Sequence, residues 1–130
     1  MVKDNVAYDT AGHCFVVQDG TESGNYFLRN LGAKTRKVIN KIPGLYGFAP
    51  ESDDSPSTFF VASPKNSWLD NVGAGSEGAG FSILLGDSVK GLHMSDHLTT
   101  VPAANPLAQF EGNVAHSNKM VSQSRILSAP

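Results

Sequence analysis

The chain has 130 residues, a formal net charge of −2 and a single cysteine, Cys14. That length suits one domain with a sizeable core. A charge so near balance leaves no overall field to recruit nucleic acid or an anionic membrane, so any anion-binding surface must be local.

A lone cysteine excludes an internal disulfide and a zinc cage of several thiolates. Thirteen Gly, seven Pro and 40% hydrophobic residues describe a chain that turns often around an apolar interior. Neither a secretory leader nor an apolar membrane span is visible. Both ends read as cut from a longer protein, because the first residues are already patterned as a repeat.

In chain order, Asn5-Val6 opens a first unit and Phe15-Val16-Val17 closes it as a short strand. The same template returns without a gap: Asn71, Val72, Ser76, Gly78, Phe81 and Ile83 stand where Asn5, Val6, Thr10, Gly12, Phe15 and Val17 stood. Asn30 and Asn113 repeat its opening, so the Asn-led starts are 25, 41 and 42 residues apart. The longer intervals hold a second coil or an inserted loop. Residues of about 34–57 and 89–106 have loop chemistry, rich in Lys, Pro, Ser and Asp or in His, Thr and Pro.

Short strands, tight turns and loops budding from fixed corners predict an all-β solenoid, a parallel β-helix. In it the four Asn residues stack and exchange amide hydrogen bonds, their place at the bends set by tolerance of positive φ. Phe15, Val17, Phe81 and Ile83 fill the interior. Residues 57–62 form a further strand, and Trp68-Leu69 begins the next. A short helix over residues 34–42 is the competing reading there, ended by Pro43-Gly44.

Several blocks carry a family resemblance. They are Asn5-Val6-Ala7-Tyr8-Asp9-Thr10-Ala11-Gly12-His13-Cys14-Phe15 with Asp19-Gly20 and Asn30-Leu31-Gly32; Ser57-Thr58-Phe59-Phe60 with Pro64 and Asn66; Ala74-Gly75-Ser76-Glu77-Gly78 with Gly80-Phe81; and residues 110–118. In this order they resemble the CEMIP-type and fibrocystin-like right-handed parallel β-helix family. The resemblance implies a segment of a larger extracellular or cell-surface protein, with flanking β-helix coils of the parent chain as neighbours. Its implied partner is an anionic, hyaluronan-like polysaccharide, with calcium as a possible cofactor and hyaluronidase-type catalysis only in the full-length context. A non-catalytic structural spacer is the alternative. Gln18 stands where relatives tend to carry Glu, Ser82 where they often carry an aromatic, and Ser63-Pro64-Lys65-Asn66 replaces an Asn-Pro-Asn-Asn turn.

Two groups of residues are candidates for function. His13, as a general base or sugar contact, with Asp19 and Glu22 to orient it or to bind a cation through oxygen, forms the catalytic set. The plainer alternative makes His13-Cys14 a packed corner and Asp19-Gly20 a turn. Arg29, Lys34, Arg36, Lys37 and Lys41 form the substrate-binding set, five cations suited to sugar carboxylates, or else a solvated loop. Glu77 and His116 read as turn residues with structural roles. Trp68 and Tyr46 are either sugar platforms or buried aromatics, and Cys14 lacks the environment of a nucleophile.

Overall fold

The computed structural model describes residues 1–39, 55–121 and 123–126. Among them the chain winds as a parallel β-helix whose coils each give one strand to each of three sheets. The first sheet holds β1 (Val2–Lys3), β4 (Tyr26–Leu28), β7 (Ser67–Leu69) and β10 (Gln109–Glu111). The second holds β2 (Val6–Tyr8), β5 (Leu31–Ala33), β8 (Val72–Ala74) and β11 (Val114–His116). The third holds β3 (Phe15–Val17), β6 (Ser57–Val61), β9 (Ala79–Leu85) and β12 (Gln123–Ile126). Every pairing is parallel.

The interior is made of like residues in register. Phe15, Phe59 and Phe81 pair across β3, β6 and β9, with ring centroids 4.8 and 4.6 Å apart. Phe27 stacks on Trp68 at 3.9 Å. Val17 and Val61 join this core, with Ile83 packed against it. Each full burial of a Phe or Val side chain stabilises the coil stack by about 1.5–3 kcal/mol. The second sheet turns small residues inward, Ala7, Gly32, Gly73 and Ala115. The interior is narrow there: a Cβ on Gly73 would meet the Gly80 backbone at 3.1 Å.

The Asn ladder forms as expected. Asn5, Asn30 and Asn71 each donate their backbone N–H and Nδ2 to the Oδ1 of the Asn one coil on, at 3.0–3.1 Å. The reason for Asn at the bend is different from the one its backbone tolerance suggests. Positive φ falls one residue earlier, at Asp4 (56°), Arg29 (51°), Asp70 (54°) and Gly112 (65°). The ladder residue is chosen for its amide, and the left-handed position goes to whatever precedes it. A second turn repeats the device at Asp9, Lys34, Gly75 and Ser117, with φ between 58° and 65°. There the N–H of each of the first three donates to the next coil, so pairing continues around the corner.

The coils on either side of each long interval pair directly, β6 on β3 and β10 on β7. Residues 34–39 contain no helical turn, and Arg36 bridges in parallel to Ala11. Residues 40–54, including Lys41 and Tyr46, lie outside the described residues. The second insertion runs between β9 and β10 and holds two 3-10 segments, Gly91–Asp96 and Pro102–Ala104. It folds back on the turn after β3, where Lys90 N–H donates to the Asp19 carbonyl at 2.8 Å.

Candidate functional site

The catalytic set is divided by the fold. His13 precedes β3 whereas Asp19 and Glu22 follow it, so the strand holds them at opposite ends. His13 Nδ1 accepts from the Ser57 N–H at 2.9 Å, which places the neutral ring's proton on Nε2, and Nε2 is itself buried. The ring stacks on Phe60 at 4.5 Å. His13 thus caps the start of β6. Cys14 Sγ lies 3.2 Å from the Thr35 hydroxyl in a half-buried position.

Glu22 closes a turn. One carboxylate oxygen accepts the N–H groups of Gln18 and Asp19, at 2.8 and 3.0 Å, and the other accepts Gly20 N–H and the Ser63 hydroxyl. Burial alone would raise its pKa, yet these hydrogen bonds outweigh burial and bring it down to about 2. Asp19 moves the other way: burial first, then the Glu22 charge, raises it, with His93 opposing. Beyond them a shallow cleft of about 180 Å³ runs between Gly20, Ser23, Lys65, His97 and Asn105.

Both Glu22 oxygens are already engaged, and among the described residues no group of three His, Cys, Asp or Glu side chains is placed to hold a metal ion.

The basic set is also divided. Arg29 lies on the first turn, where Nε and Nη2 donate to the two oxygens of Asp4 at 2.8 and 3.0 Å. Lys34, Arg36 and Lys37 lie on or just past the second turn. Lys34 and Arg36 both pair with Asp9, and the Arg36 hydrogen bond, followed by that of Lys34, holds Asp9 below the usual carboxylate range. Glu77 accepts the Lys37 backbone N–H at 2.7 Å and the Lys119 ammonium at 3.4 Å. The Lys37 N–H is the larger reason that the Glu77 carboxyl titrates low.

Lys119 had no sequence neighbour to mark it. Its position, 42 residues after Glu77 and one coil on, is the repeat interval that could have found it. Glu77 lies in the bend between β8 and β9, a turn position as expected. His116, by contrast, is the exposed last residue of β11 rather than a turn residue.

Four cations against two carboxylates leave this turn with two positive charges in excess, on a chain whose net charge is −2. Beside it the outer face of the second sheet is apolar and open. Tyr8 is 68% and Val6 70% exposed, and Val114 and Leu31 are exposed as well. Lys34 Nζ lies 5.6 Å from the Tyr8 ring centroid. Trp68 is fully buried, and its ring belongs to the core.

Residues 1–122 match the family model described as CEMIP beta-helix. The chain is 33% identical over 134 aligned positions to the human protein named cell surface hyaluronidase CEMIP2, covering 91% of this chain and 10% of that one. It is 31% identical to the mouse cell migration-inducing and hyaluronan-binding protein, over 91% of this chain and 10% of that one. Mouse fibrocystin-L is 27% identical over 90% of this chain and 2% of its own length. The chain therefore spans about a tenth of the length of the first two relatives. No solved structure matches. A three-sheet coil stack with the Asn ladder, matched along nearly its whole length, places this chain in the CEMIP β-helix family.

Proposed function

We propose that this β-helix segment binds an anionic, hyaluronan-like polysaccharide along its second turn, outside the cell or at its surface. The cation excess at Lys34, Arg36, Lys37 and Lys119, beside the exposed Tyr8 ring, carries the reading. Exposed ion pairs of this kind are worth little individually and exchange readily, so sugar carboxylates can displace Asp9 or Glu77 from their cations. A phenol ring offers an apolar face to a sugar and a polar tip to water. Relatives named as hyaluronidase and as hyaluronan-binding support the choice of polymer.

The segment binds rather than cleaves. His13 Nδ1 is engaged by the Ser57 N–H, its Nε2 is buried, and both Glu22 oxygens are engaged by the turn, so catalysis is assigned to the longer protein. No helix among the described residues is long and apolar enough to cross a membrane. Replacing Lys34, Arg36 and Lys37 together with Gln should abolish retention on immobilised hyaluronan at low salt while the melting temperature stays within a few degrees. Full retention by the triple variant would reject the site. No retention of the unmutated chain, alone or within a longer protein, would favour the spacer alternative.

A further inference from the structure

We propose that Glu77 makes the second turn selective for a polysaccharide ionised on alternate sugars over one ionised on every sugar. This rests on the binding function given above and adds the residue that sets its specificity.

The argument starts from register. Arg36 N–H donates to Thr10 O, Glu77 N–H to Thr35 O, and Lys119 N–H to Ser76 O. With the bridge between Ala11 and Arg36, these bonds stack Ala11, Arg36, Glu77 and Lys119 in one column along the helix axis. Read up that column, the charges run positive, negative, positive. Neighbouring coils are about 4.8 Å apart, so the backbones carrying the two cations are separated by about 9.6 Å with a carboxylate midway.

A sugar unit is comparable in length to one coil rise. A polymer lying along the axis with a carboxylate on alternate sugars can set successive charges against Arg36 and Lys119 and pass a neutral sugar over Glu77. A polymer charged on every sugar must bring an anion to Glu77. Repulsion at one position, rather than attraction at the others, then separates the two polymers.

Glu77 is suited to this task by its fixed placement. The Lys37 backbone N–H and the Lys119 ammonium hold its carboxylate, and the side chain is 35% exposed. Lys119, 71% exposed, pairs with Glu77 only at the surface and can exchange that pair for a ligand anion. The αL column beside it alternates less, running Asp9, Lys34, Gly75 and Ser117, and presents no anion between the second and fourth coils.

The test compares the unmutated chain and Glu77→Gln on hyaluronan, polygalacturonate and heparin, at matched ionic strength. Gln keeps an acceptor for the Lys37 N–H, and a thermal melt of both proteins checks the fold. The variant should gain about threefold to fivefold in affinity for polygalacturonate and heparin relative to hyaluronan, the fold-change one exposed charge contact is worth. Lys119→Gln should instead weaken hyaluronan binding by about threefold. An equal shift of Glu77→Gln on all three polymers, or none, overturns the specificity role and leaves the binding function standing. Failure of the unmutated chain to bind hyaluronan overturns both.

Discussion

The two turns that flank the second sheet have the same backbone and opposite uses. Each places a residue at φ of 51–65° and passes the strand pairing around the corner. At the first turn the next residue is Asn in all four coils, and its side chain is consumed by the ladder. Asn71 is fully buried, accepts from Asn30, and donates to both Asn113 and the Phe27 carbonyl at 2.9–3.0 Å. At the second turn the corresponding residues are Thr10, Thr35, Ser76 and Asn118, with fewer bonds between coils, and in the last three coils the residues after them, Arg36, Glu77 and Lys119, carry charge at the surface. Once a turn is closed by one side chain per coil, its neighbours are released for recognition.

The largest effect should come from breaking the first turn. Asn71→Ala takes from the Asn30 backbone N–H and the Phe27 carbonyl the partners they have at this buried position, at a cost of about 3–5 kcal/mol. A chemical-denaturation midpoint that barely moves would show the ladder to be dispensable. At the second turn Ser76→Ala removes the hydroxyl that accepts Gly78 N–H at 3.1 Å, and about 1–2 kcal/mol should be lost. Equal losses at Asn71 and Ser76 would erase the distinction between the turns.

Next is Gly78→Ala. A Cβ there would run into the Pro56 carbonyl, and because backbone yields little, about 1–3 kcal/mol should follow. A melt unchanged from the parent would mean that the approach of these two segments is loose.

The turn after β3 adds a pH dependence. Glu22 has its pKa lowered from 4.5 to about 2, so its contribution is fully present above about pH 4.5 and disappears as pH falls toward 2. The melting temperature of Glu22→Gln should therefore converge on that of the parent in acid and lie below it at neutral pH. A constant difference across that range would contradict the role of its charge.

The smallest effect is expected at Arg29→Gln. Its pair with Asp4 is exposed on both sides, so neither the melt nor hyaluronan retention should change measurably. Loss of retention would extend the binding surface to the first turn.

Much of this architecture was legible in the residues. The Asn-led repeat and the aromatic and aliphatic positions at Phe15, Val17, Phe81 and Ile83 carry a periodic signal. The site was less legible. Arg29 and Lys34 are five residues apart in the chain, yet a three-residue strand separates them onto different turns. Lys119 and Glu77 are distant in the chain and adjacent in the coil stack. His13 and Glu22 have the chemistry of catalytic groups, and their hydrogen bonds to the backbone were invisible without coordinates.

By itself, the sequence determined the coil. A β-helix repeats one set of steric demands every turn, so the residues that meet them recur at readable intervals. Only the tertiary structure decided which charges share a surface. Stacking brings residues 25, 41 or 42 positions apart to within one coil rise, and no local pattern records which of the outward side chains will face the same ligand.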